Sequence, residues 1–127
     1  MQILAPCFAG INKGHYSPGM ASNGMLYVSG QLSIDMDTRQ VPPPDMRTHA
    51  ALALKNVERV LKAGGLGREN VVQCRIYVTD IDAWDEVNEV YADFFGRHKP
   101  ARCIVNVPRL HFGCLVEIEA IAEYPQR

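Results

Sequence analysis

Only four cysteines occur in the 127 residues, Cys7, Cys74, Cys103 and Cys114, and no two stand in Cys-x-x-Cys spacing. That scatter argues against a zinc ribbon and against a disulfide framework. Cys74, Cys103 and Cys114 take the dry parity of expected strands, so they are read as small, buried, reduced thiols. The four histidines, His15, His49, His98 and His111, also lack metal-ligand spacing, and no cofactor or metal is expected. Charge of one sign is missing as well. Thirteen basic and fourteen acidic residues are interspersed for a net charge of -1, which leaves no global field to draw nucleic acid or an anionic membrane. No apolar stretch approaches the roughly 20 residues that span a bilayer, and the opening residues lack a basic segment followed by an apolar run. The chain is therefore expected to be soluble and cytoplasmic. Its length fits a single domain over residues 1–127.

What is present is periodic. Met25 to Gln31 reads as a strand entered from a Ser22-Asn23-Gly24 turn, with a preceding strand around Ser17 to Ala21. From about Met46 to Ala63, apolar Ala50, Ala51, Leu54, Val57 and Leu61 recur at spacings of three and four, and Gly64-Gly65 ends the run, which predicts a helix. Asn70 to Thr79 alternates as a strand, with Cys74, Ile76 and Val78 on one face. A second helix, with Asp82 as its expected cap, lines up Trp84, Val87, Tyr91, Phe94 and Phe95 until Gly96. The order strand, strand, helix, strand, helix, strand, strand predicts an α/β (α+β) domain: a mixed sheet with both helices on one face. The other face is expected to carry Tyr27, Tyr77, Ile104, Leu115 and Ile121, too apolar a set for water without a second copy of the chain to cover it.

The last two strands hold the most chemistry. Pro100 to Val107 and Leu115 to Ile121 are read as a hairpin in which Cys103, Val105 and Val107 share the dry face with Val116, Ile118 and Ala120. That register sets Arg102 beside Glu117 and Glu119 on the opposite face, with neighbours about 5–8 Å apart. Two readings stay open: an ordinary cross-strand salt bridge, or a site that holds a small acid by its carboxylate and moves a proton.

The chain resembles the reactive intermediate deaminases, the YjgF or RidA family. The resemblance runs from about Gly14 to Tyr124 and rests on an ordered set of segments. These are Tyr16-Ser17, Val28-Ser29-Gly30-Gln31, Asn56-Val57, Val78-Thr79-Asp80, Val87-Asn88-x-x-Tyr91-x-x-Phe94-Phe95, Pro100-Ala101-Arg102 and Val116-Glu117-Ile118-Glu119-Ala120. It implies a chorismate-mutase-like fold, a homotrimer with ligand clefts between subunits, and hydrolysis of 2-enamino or 2-imino acids such as 2-aminoacrylate to 2-oxo acids and ammonia. By the same resemblance Arg102 would anchor the substrate carboxylate and Glu117 would handle water and proton. Tyr16, Ser29, Gly30, Asn88 and the backbone of Ile104 would line the substrate site. Each of the lining residues also has a plain packing role open to it: Tyr16 as a packing aromatic, Ser29 as a strand hydroxyl, Gly30 as a bulge, Asn88 as an exposed helix residue.

The chain departs from the commoner family pattern at Pro18, at Ile104 and through Arg109-Leu110-His111-Phe112-Gly113, all where the cleft should open. Substrate preference is expected to differ accordingly, a ring-cleavage aminomuconate-type acid being conceivable, while His111 is read as a turn residue. Two other functions fit the same sequence: a non-catalytic trimer that binds small 2-oxo acids, and an endoribonuclease or translation inhibitor. The balanced charge and the lack of a paired His and Lys motif argue against the last.

Overall fold

The computed structural model describes residues 1–4 and 14–126; Cys7 lies outside them. Six strands form one mixed sheet: β1 (Gln2–Leu4), β2 (Gly19–Ser22), β3 (Met25–Leu32), β4 (Val71–Val78), β5 (Ala101–Asn106) and β6 (Val116–Glu123). Their order across the sheet is β1-β2-β3-β6-β4-β5. Every neighbouring pair is antiparallel except β4 and β5, which run parallel. Helices α1 (Met46–Ala63) and α2 (Trp84–Phe95) pack on one face.

Local chemistry explains the elements. Asn23 and Gly24 both take positive φ, 51° and 75°, as a tight turn between β2 and β3 requires. The Asp45 carboxylate accepts the Thr48 backbone N–H at 3.2 Å and caps α1, whose inner stripe buries Ala50, Ala53, Leu54, Val57, Val60 and Leu61. Leu26, Val28, Ile76, Val78, Val116 and Ile118 rise from the sheet to meet that stripe. Burying each such side chain is worth about 1.5–3 kcal/mol, so this interleaved layer carries the fold.

His49 is a polar member of this layer, 1% exposed. Its Nε2 lies 3.2 and 3.0 Å from the carbonyls of Pro42 and Pro43, which can only accept. The ring proton therefore sits on Nε2. Nδ1 then accepts from the Ser33 hydroxyl at 2.6 Å and the Leu115 N–H at 3.2 Å. One ring thus ties the end of β3, the proline segment and the entry to β6 to α1.

Four expectations are corrected. First, β5 and β6 are not a hairpin: β4 lies between them, paired to both. Residues 107–115 are longer than hairpin loops usually are, and they carry the chain back past β4. Second, the faces of β5 are reversed. Arg102 and Ile104 register with Cys74 and Ile76 on the helix side, while Cys103 is exposed on the other. An edge strand with apolar residues at both parities offers no periodic signal of which side is inward. Third, Ile104 and Leu115 pack against the core and do not belong to the open face. Fourth, Asp82 does not cap α2. The Asp80 carboxylate accepts the Asp82 N–H and opens a 3-10 turn over Ile81–Ala83, which leaves Ala83 at the start of α2. The short β1 carried no pattern and was not anticipated.

Candidate functional site

The face away from the helices carries Tyr27, 47% exposed, with Arg75, Tyr77, Cys103, Val105, Glu117, Glu119 and Ile121. Alternation along β6 puts Glu117 and Glu119 side by side here, each opposite a different β4 residue. Tyr77 stands across from Glu117, and Arg75 across from Glu119. A hollow of about 410 Å³ opens over them, walled by Gly30, Tyr77, Val107, Arg109 and Leu110.

The two carboxylates differ in their surroundings. Glu119 accepts the Tyr77 hydroxyl at 2.6 Å and lies 3.6 Å from Arg75. That hydrogen bond and the burial around it push the Tyr77 hydroxyl up to about 12, so it stays a donor. Glu117 is half-buried and has no hydrogen-bond or ion-pair partner among the described residues. Burial first, then the neighbouring Glu119 charge, hold its proton above the ordinary carboxyl range, against a smaller opposite pull from His111. Glu117 is thus a carboxyl group that holds its proton more tightly than an exposed glutamate does, the property a group needs if it is both to take and to give one.

Room for this carboxylate comes from an irregularity. The β3–β6 register shifts between Val28 and Gln31, and Gly30 sits in the bulge. A Cβ at Gly30 would stand 2.3 Å from Glu117 Oε2.

Arg102 lies elsewhere. On the helix side of the edge strand, its Nη1 donates to Asn88 Oδ1 at 3.0 Å, and its guanidinium rests 4.7 Å from the Tyr91 ring and 5.4 Å from the Trp84 ring. No carboxylate is within ion-pair distance among the described residues. A half-buried guanidinium with an amide to orient it, aromatic faces beside it and no acid to neutralise it is suited to an incoming anion. Cys74, beneath it, is held up to about 11 by burial and stays a thiol at neutral pH, so it is no nucleophile.

The residues expected from sequence therefore fall into two groups. Gly30 and Glu117 meet on the open face; Arg102 and Asn88 meet on the helix side. The Ser29 hydroxyl donates to Ser17 O at 2.6 Å and its N–H to Pro18 O, which fastens the segment carrying the exposed Tyr16 along β3. Ile104 contributes its side chain to the core. Within one chain, strand spacing and register put Arg102 and Glu117 about 14 Å apart at Cα, with side chains on opposite faces. They are not cross-strand neighbours, and no single chain can close both on one small molecule. Sequence reasoning missed Tyr77 as the partner of Glu119, and Trp84 and Tyr91 beside Arg102. The spacing 84, 88, 91, one face of a helix, was the signal for the second group.

Among the described residues no group of three or more His, Cys, Asp or Glu could hold a metal ion, and no helix is long and apolar enough to cross a membrane. The molecule is an α+β protein of the six-stranded mixed-sheet, two-helix type. The chain belongs to the endoribonuclease L-PSP family, the YjgF/RidA/RutC proteins, whose profile matches residues 9–124. It is 38% identical over 121 residues to the 2-iminobutanoate/2-iminopropanoate deaminase of Bos taurus, covering 95% of this chain and 88% of that protein. Among solved structures, E. coli TdcF with bound serine superposes with a TM-score of 0.91 at 32% identity, over 98% of this chain and 100% of that one. The YjgF gene product of E. coli gives 0.91 at 33% identity over the same shares.

Proposed function

We propose that this protein is a hydrolytic deaminase of 2-imino and 2-enamino acids, such as 2-aminoacrylate, which it converts to 2-oxo acids and ammonia at sites shared between copies in a homotrimer. Arg102 of one copy grips the substrate carboxylate, a planar fork of donors against two oxygens. Glu117 of a neighbouring copy takes a proton from water as the oxygen attacks the imine carbon. With the imine protonated, this attack leaves a neutral carbinolamine; the same carboxyl returns its proton to the nitrogen, the C–N bond breaks to release ammonia, and the carbinolamine hydroxyl gives its own proton back to the carboxylate as the carbonyl forms. An enamine reaches the same path after protonation at carbon. Tyr16, Ser29, Gly30, Asn88 and the Ile104 backbone line the cleft.

The observation that carries this proposal is the pairing of an anion-ready Arg102 with a partnerless Glu117 on opposite faces of one sheet. A second copy that covers the open face would bring the two chemistries together and shield Tyr27 and Val105 from water. The deaminase name of the bovine relative and the serine held by TdcF, an amino acid with the same carboxylate, support the substrate class.

The test is ammonia release from 2-aminoacrylate generated in situ by a serine or threonine dehydratase. Arg102→Ala and Glu117→Gln should each abolish the acceleration. After subunit exchange, an equal mixture of the two inactive variants should regain about a quarter of wild-type activity, since random assembly restores that share of two-chain sites. No recovery from a mixture proven to have exchanged would place both groups in one chain and sink the shared site. The bound serine of TdcF favours one other possibility, a non-catalytic binder of small acids. Ligand binding that survives Glu117→Gln, with no ammonia from any imine tested, would replace the deaminase with that binder.

A further inference from the structure

We propose that Glu119 is a positioning residue for this reaction: fixed in place by Tyr77 and Arg75, it sets a carboxylate charge beside Glu117 and so sets the pH range in which Glu117 takes up and hands over its proton. This builds on the deaminase reading above, which leaves Glu119 without a role. The geometry is specific in its order. A neutral donor, Tyr77, stands opposite Glu117, while the one cation of the strand pair, Arg75, stands opposite Glu119. Tyr77 also reaches along the face to bind Glu119 at 2.6 Å. That hydrogen bond, from a neutral donor, fixes the Glu119 carboxylate without cancelling its charge, and the cation is one cross-strand position farther from Glu117. Exchange of the two β4 residues would reverse the effect by placing the guanidinium over Glu117 and pinning it as a carboxylate.

Other ionisable groups lie on or beside the same face and bound the effect. Arg109 and His111 approach from residues 107–115, Cys103 from β5 and Tyr27 from β3. None of them has an ion pair with Glu117 among the described residues. Glu119, about 7 Å away on the same strand face, is the fixed charge nearest in sequence and the one locked in place.

The prediction concerns direction in two variants at once. Glu119→Gln keeps the shape and can still accept from Tyr77, yet removes the charge. The Glu117 midpoint should fall by about 0.5–1 pH unit, as expected for unit charges at this range in a half-solvated site. Arg75→Met removes the cation and should raise it. The readouts are the Glu117 side-chain carboxyl carbon followed by NMR titration and the pH profile of kcat/KM, whose limb should move with it. A purely structural role for Glu119 would lower rates or melting temperature without moving the two limbs in opposite directions. Midpoints unmoved in both variants would overturn the proposal while Glu117→Gln remained inactive. If Glu117→Gln kept full activity, the proton-handling role itself would fall. Should Glu119→Gln not fold, the upward shift in Arg75→Met carries the test alone.

Discussion

Replacement of Gly30 by alanine isolates the placement of Glu117 from the stability of the fold. The new Cβ would sit 2.3 Å from Glu117 Oε2 and 3.0 Å from its Cδ, about 1.1 and 0.4 Å short of the 3.4 Å at which ordinary contact begins. Strand backbone cannot retreat that far without breaking its ladder, whereas the end of a glutamate side chain can swing aside. Gly30 does not need the left-handed region, so alanine adds no backbone strain there. Stability should therefore stay within about 1 kcal/mol of wild type, the entropic gain from losing a glycine offsetting the local crowding. Activity should not. Misplacing a proton-transfer group by about 1 Å costs on the order of a hundredfold, or about 2.7 kcal/mol of transition-state stabilisation. The assay is kcat/KM for imine hydrolysis beside a thermal melt. Wild-type kcat/KM in a folded Gly30→Ala protein would refute the placement of Glu117 at the reacting centre.

Other outcomes follow from the same structure. Glu117→Gln should melt above wild type at pH 8: its raised carboxyl contributes stability fully below the unfolded value, and that contribution is lost as pH rises through the folded value. The gap should close near pH 4, and equal melting at pH 8 would contradict the partnerless site. His49→Leu strands the Leu115 N–H, the Ser33 hydroxyl and two proline carbonyls, and should cost about 2–4 kcal/mol in urea unfolding. A loss under 1 kcal/mol would show that water replaces the ring. Arg68 pairs with Glu58 and also donates to Phe94 O at 2.7 Å. Its hydrogen bond holds the Glu58 carboxyl low, so the stabilisation is present above the unfolded value and lost as pH falls through the folded one. The gap between the urea midpoints of wild type and Arg68→Met should be widest at pH 7 and narrow as pH falls through the folded value, leaving only the part due to the bond to Phe94 O; a gap unchanged with pH would refute the role of Glu58.

Much of the scaffold is legible in residue order. The α1 stripe and its Gly64-Gly65 stop, the alternation of β4 and β6 and the Asn23-Gly24 turn each rest on local physics strong enough to read without a partner. Strand pairing is not local. The alternation of Val116, Ile118 and Ala120 says which face is dry, yet nothing in it says whether the neighbour is β5 or β4. Sequence order sets Arg102 beside Glu117 because the two strands follow one another, and that juxtaposition does not exist within the chain. The resemblance supplied both residues as site candidates on other grounds, and the structure changes how they could meet. Tyr77 escaped notice because an alternating tyrosine in a strand reads as packing. Only the register with Glu119 reveals its hydroxyl as a tether.

The position of β6 has a bearing on synthesis. Strands β3 and β4 never touch; the gap between them is filled by residues 116–123, which leave the ribosome after both. The helices can form as they emerge, but Leu26, Val28, Ile76 and Val78 must wait with their flanking backbone groups unpaired until those later residues arrive. From the completion of β4 until β6 is made, the nascent chain thus exposes two open strand edges and a half-built apolar layer, the condition in which chains aggregate or recruit chaperones. Closure of the sheet is a single late event that joins distant segments, and a chain cut before Val116 has no partial version of this fold to fall back on.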